Sequence, residues 1–218
     1  MPSASTVPRL WTQPEPAFDF VVVAASHGGV EALRALVSAL PLDFPIPIAV
    51  VLHLGARPSA LVSILQWRTR LTVRWAEEGL RPRPRTLYVA PPDRHLALGE
   101  RRTFVLSEGP KWHSHPPRRR TPSSSPPARV YGRRLPGRGD GRAVGKDGTA
   151  GARALREAGG TVLAQDRATS TAFGMPGAVI AGGHAHFVLP LATLAPALVS
   201  LVMVPGGAGL FGVPRQVA

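Results

Sequence analysis

Val21–Leu33 reads VVVAASHGGVEAL, and the fold turns on it. The apolar residues Val21 to Ala25 run without a polar break into Ser26, His27, Gly28 and Gly29, and a helix-like stretch follows. A short, continuous apolar run closed by a turn signal is the pattern of a strand buried on both faces of a parallel sheet. In VEALRALVSAL the apolar positions share one helical face, and Pro41 stops the helix. Strand, glycine turn and helix together make the first half of a βα unit.

The pattern repeats outward from there. IPIAVVLHLG is a second buried strand, and PSALVSILQWRT a helix with Pro58 suited to its first turn. LTVRWA and TLYVAPPDRHLAL read as further strands, the latter entering a Pro-rich turn. GTAGARALREAGG is a helix closing on glycines, TVLAQD a strand, and MPGAVIAGG a helix ended by glycine. HFVLPL and LAPALVSLVMV finish the fold as a strand and a closing helix. Alternating strands and helices predict an α/β fold: an open, mostly parallel, doubly wound sheet with helices on both faces. The domain is expected over residues 18–203, behind a flexible Pro-rich leader at 1–17 and ahead of a tail at 204–218.

The bulk numbers narrow the function classes. A chain of 218 residues, 44% hydrophobic, suits one domain with a substantial core. It has no cysteine, which excludes disulfides and thiolate zinc sites and is compatible with a reducing cytoplasm. No uninterrupted apolar run reaches the length of about 18 residues that would span a bilayer. FVLPLATLAPALVSLVMV comes nearest but contains two prolines. A soluble, cytoplasmic protein without membrane insertion is therefore expected. The net charge of +13 suggests nucleic acid, but +8 of it lies between Lys111 and Arg142, which hold nine basic residues and one acidic one. That patch has no interleaved aromatic platform, so no nucleic-acid partner is expected.

Ligands of open α/β sheets bind beyond the carboxyl ends of the strands, where Ser26 stands. Two roles fit it. Ser26 caps the following helix or belongs to an anion-binding loop, or it is a nucleophile whose oxyanion is held by the glycine-turn amides. A nucleophilic serine needs a base, and His53 ends the next strand at the equivalent position. A histidine between Leu52 and Leu54 can equally be structural. The base needs an orienting carboxylate, and Asp147 in VGKDGTAG stands just before a helix, where it can also serve as a cap. The order serine, histidine, aspartate is not that of α/β-hydrolases, and AASHG lacks their nucleophile-elbow pattern. Nor does SHGG make a phosphate loop or a good dinucleotide fingerprint.

These motifs together resemble the catalytic domain of the chemotaxis protein-glutamate methylesterases, the CheB type. VVVAASHGGVEAL is similar to the family's GAS-x-GG-x-EAL loop, VVLHL to its base-bearing strand, and GKDGTAG to the motif of its aspartate. LYVAPPDRHLAL, AQDRATSTAFGMPGAVI and HFVLPL match in order as well, so the resemblance covers about residues 18–203. It implies hydrolysis of glutamate γ-methyl esters on methylated chemoreceptors, and glutamine deamidation in the same receptors. It also implies a triad of Ser26 (nucleophile), His53 (base) and Asp147 (orienting carboxylate), no cofactor and no metal, and action as a monomer. His27 departs from the Thr or Ala usual after the nucleophile. Seventeen leader residues are too few for the phospho-receiver domain that usually regulates the family, so the resemblance is to a stand-alone esterase domain.

The larger departure is the Arg/Pro-rich segment 116–143. Where the family has a helix and then a hydrophobic strand ending in TG, this chain reads HPPRRRTPSSSPPARVYGRRLPGRGDGRAVGKDG. Its composition predicts disorder and the loss of a buried central strand. One-nucleotide shifts can turn Arg118–Pro122 into Ala-Asp-Ala-Leu-Leu and the stretch 137–143 into a sequence containing Val-Val-Thr-Gly, with ARVYG in frame between them. Compensating frameshifts are one explanation, and a genuine basic insertion is the other. If the segment is real, Asp147 loses its positioning strand, and the alternative is a catalytically impaired receptor-binding homologue.

Overall fold

The computed structural model describes residues 18–26, 28–52, 54, 58–99, 101–107, 129–131, 149–204 and 206–207. The 1–17 leader, most of the 204–218 tail and all of segment 116–143 except 129–131 lie outside the described residues. In chain order the elements are β1 (Phe20–Ala25), α1 (Gly29–Ser38), β2 (Ile48–Leu52), α2 (Leu61–Gln66), β3 (Thr72–Trp75), β4 (Thr86–Val89) and β5 (His95–Leu98). Then come β6 (Phe104–Ser107), β7 (Arg129–Tyr131), α3 (Thr149–Glu157), β8 (Thr161–Gln165), α4 (Gly174–Ala181), β9 (Phe187–Leu189) and α5 (Leu191–Met203).

The main sheet has the order β3-β4-β2-β1-β7-β8-β9. β1 pairs parallel with β2, β2 and β3 with β4, and β8 with β9. β7 is antiparallel to both β1 and β8, which makes those two run the same way. Six of the seven strands therefore share one direction.

The continuous apolar strands are buried on both faces. Val21, Val23, Val50 and Val89 turn to one face and pack with Leu33, Leu36 and Val37 of α1, Leu61 and Leu65 of α2, and Leu198 and Leu201 of α5. Alternation sends Phe20, Ala49 and Tyr88 to the other face. Further along the sheet, Val162 of β8 packs on that face with Ala152 and Leu155 of α3 and Val179 of α4. Helices thus cover both faces, as the alternating pattern predicts.

Two elements depart from the expectations. TLYVAPPDRHLAL is not one strand: β4 ends at Val89, Asp93 turns the chain at φ 61°, and β5 leaves the sheet to pair with β6. This hairpin covers Phe20 and Tyr88, whose rings meet Phe104 edge-on at 6.2 and 4.9 Å. The sequence also predicts no strand within 116–143, yet Arg129–Tyr131 form β7 in the slot between β1 and β8. It is short and reversed, pairing with Phe20–Val22 and Thr161–Val162 only. The slot explains it: β1 and β8 each present a row of backbone N–H and C=O groups that burial obliges to find partners.

Candidate active site

Ser26 follows β1 at its carboxyl end, half-buried. Ala25 and Leu52 are register partners and the last residues of β1 and β2, so the two strands finish level. The turn after Ser26 depends on two glycines for different reasons. Gly28 has φ 76°, a left-handed conformation that L side chains rarely adopt. Gly29 lies so close to β1 that a β-carbon there would sit 2.5 Å from Cβ of Ala25 and 3.3 Å from Cδ1 of Leu52. Its N–H donates to the Ser26 carbonyl at 2.8 Å and closes the turn.

This geometry removes one alternative for Ser26. The cap position of α1 is Gly28, and among the described residues no side chain hydrogen-bonds to cap the helix. The Ser26 hydroxyl is therefore not the cap of α1, whose first amide, that of Gly29, is taken by the Ser26 carbonyl instead.

Beside Ser26 lies a cavity of about 140 Å³. It runs along β1 and the carboxyl end of β8, and is walled by residues 169–176 and by α5. The β8–α4 loop is held by a dense hydrogen-bond set. Asp166 Oδ1 accepts from the Thr169 N–H at 2.9 Å and from Thr169 Oγ1 at 2.6 Å. Thr169 Oγ1 in turn accepts from Gln165 Nε2 at 3.2 Å and from the Leu191 N–H at 3.0 Å. One donated and two accepted bonds use the full capacity of a threonine hydroxyl. Thr169 thus ties together the end of β8, its own loop and the start of α5. Arg167 stacks over Phe173, its guanidinium carbon 5.2 Å from the ring centroid.

Of the three residues singled out from the sequence, Ser26 is placed at the mouth of a cavity. His53 follows directly after Leu52, and Asp147 stands two residues before α3; both lie outside the described residues. The sequence reading gave no chemical role to QDRATSTAFGM, whose Gln165, Thr169, Thr171 and Met175 line the same cavity as Ser26. The available signal was position, since this stretch is another strand-end-to-helix junction rich in hydroxyl and small residues.

Comparison with known proteins agrees with the resemblance. The family model for CheB methylesterase matches residues 21–126 and 143–198, so 127–142, within the Arg/Pro-rich segment, fall between its two matched stretches. A protein-glutamate methylesterase/protein-glutamine glutaminase of Anaeromyxobacter dehalogenans is 42% identical over 184 residues, 83% of this chain and 52% of that protein. The Thermotoga maritima protein of the same name is 34% identical over 200 residues, 88% of this chain and 56% of that one. This chain therefore spans about half the length of the curated relatives it matches. The crystal structure of the Thermotoga maritima CheB methylesterase catalytic domain superposes with TM-score 0.66 at 30% identity, covering 85% of this chain and 99% of that domain. With the family's loop closed around Ser26 and its fold around the cavity, the chain belongs to the CheB methylesterase family.

Proposed function

We propose that this chain hydrolyses glutamate γ-methyl esters on chemoreceptors, and deamidates glutamine there, through Ser26, His53 and Asp147. The observation that carries the reading is Ser26 itself: a hydroxyl at a strand end, not used as a cap, beside a cavity and a glycine turn. Ser26 Oγ attacks the ester carbonyl as His53 takes its proton, and the negative oxygen that forms is held by amide groups of the turn. His53 then protonates the departing methoxide, methanol leaves, and water releases the carboxylate by the same steps in reverse. For glutamine, ammonia leaves instead. The level ends of β1 and β2 support pairing Ser26 with the residue after Leu52. Asp147 orients the imidazole and stabilises its protonated form. The enzyme acts in the cytoplasm as a monomer, on a receptor substrate.

A second reading is a receptor-binding homologue with weak turnover, and β7 favours it. Because β7 is reversed, its last residue, Tyr131, pairs with Phe20, at the end of β1 opposite Ser26. Fifteen residues then separate Tyr131 from Asp147. Methanol release from methylated receptor distinguishes the two. Release by the wild type and none by Ser26→Ala supports the esterase, whereas receptor binding without release supports the second reading.

A further inference from the structure

Gly28 is exposed, and its backbone is the hinge of the turn that carries Ser26. Glycine enters left- and right-handed regions almost equally, so it permits the turn but does not hold it there. Among the described residues, one backbone hydrogen bond, from Gly29 to Ser26, closes the turn from within. From outside, the three atoms nearest the place of a Gly28 β-carbon all belong to Thr171: Cβ at 2.9 Å, Cγ2 at 3.1 Å and Oγ1 at 3.3 Å. Thr171 is itself exposed, yet its loop is anchored two residues earlier by the three hydrogen bonds of the Thr169 hydroxyl.

We propose that Thr171 is a positioning residue for the nucleophile turn: its branched side chain, on a loop anchored through Thr169, wedges against Gly28 and keeps Ser26 aimed into the cavity. This rests on the reading of Ser26 as nucleophile. The wedge acts by shape. The Thr171 side chain fills the space beside Gly28 where a β-carbon would stand, and Thr169 fixes the loop that carries it. Gly28 and Thr171 are 143 positions apart in the chain and meet because β1 and β8 flank one slot.

The test uses the whole chain with Thr171→Ala, which removes Cγ2 and Oγ1, and Thr171→Val, which restores the branched shape without the hydroxyl. Truncation at an exposed site disturbs the global fold little, so local readouts are interpretable. Two are measured: exchange of the Gly29 amide, with the distant Ala76 amide as reference, and the rate at which a fluorophosphonate probe phosphonylates Ser26, its P–F bond breaking as Oγ–P forms. In Thr171→Ala, Gly29 exchange is expected to rise and phosphonylation to fall, each by about tenfold, with Ala76 unchanged. Thr171→Val should restore both. Unchanged Gly29 exchange in Thr171→Ala overturns the proposal, as does a valine variant that behaves like alanine. If Gly29 exchange responds as expected but the wild type is not phosphonylated, the wedge stands and the nucleophile reading falls.

Discussion

Gly29 is packed against Ala25: a β-carbon on Gly29 would lie 2.5 Å from that of Ala25, closer than such atoms come. The first turn of α1 is thereby seated on the end of β1, and the Ser26 turn is held between them. Gly29→Ala is expected to destabilise the fold by about 1–3 kcal/mol through overpacking, read by denaturant unfolding. Ala25→Gly added to it should recover part of the loss. Gly174→Ala is the control, because a β-carbon there meets nothing within 4 Å. Equal losses at 29 and 174 would show that packing against Ala25 is not the cause.

His53 as base makes the rate rise with pH through the neutral range, because only neutral imidazole accepts the serine proton. The measurement is methanol release between about pH 5 and 8, with phosphonylation by the probe alongside. A flat profile removes His53 from the mechanism.

Asp147→Asn separates an orienting carboxylate from a helix cap. In the first role it lowers turnover by up to about 10⁴-fold with receptor binding and stability little changed, because an amide favours the wrong imidazole tautomer. In the second, asparagine caps as well as aspartate, and neither rate nor stability moves.

His186 supplies a pH signature of folding. Its Nδ1 accepts the Val162 N–H at 3.1 Å, so the imidazole is needed neutral at that nitrogen. Burial first, and then the nearby Arg156 cation, hold its pKa below the usual histidine value of 6.5. A depressed folded value means the neutral form stabilises the fold above the unfolded pKa, and that this contribution is lost as pH falls through the lower, folded one. Unfolding free energy measured from pH 8 down to 5 should therefore fall less steeply in His186→Asn, whose amide oxygen can still accept and does not titrate. Parallel profiles would exclude His186 as a source of the slope.

Thr161 is fully buried, and its hydroxyl has no hydrogen-bond partner among the described residues. Thr161→Val is expected to raise stability by about 1 kcal/mol, since it removes an orphaned polar atom at constant shape. Thermal unfolding checks it, and a lowered melting temperature would mean that the hydroxyl is satisfied.

Much of this protein was legible in the chain itself, wherever local chemistry suffices to specify structure. Val21–Ala25 could only be a strand buried on both faces, because no polar side chain interrupts it. The helix of Leu33, Leu36 and Val37 follows from spacing, and Ser26 stood out because it lies where a buried strand gives way to glycines. Tertiary structure decided what depends on neighbours distant in sequence. Whether Ser26 caps α1 was open until the cap fell on Gly28. Arg129–Tyr131 have the composition of a loop and became a strand because two flanking strands offered them unpaired backbone groups. β6 is not among the strands read from the chain, and takes shape by pairing with β5 over Phe20 and Tyr88. The contact between Thr171 and Gly28 has no signature in either stretch. It exists because the sheet order sets the carboxyl ends of β1 and β8 on either side of one slot, which periodicity along a single segment cannot encode.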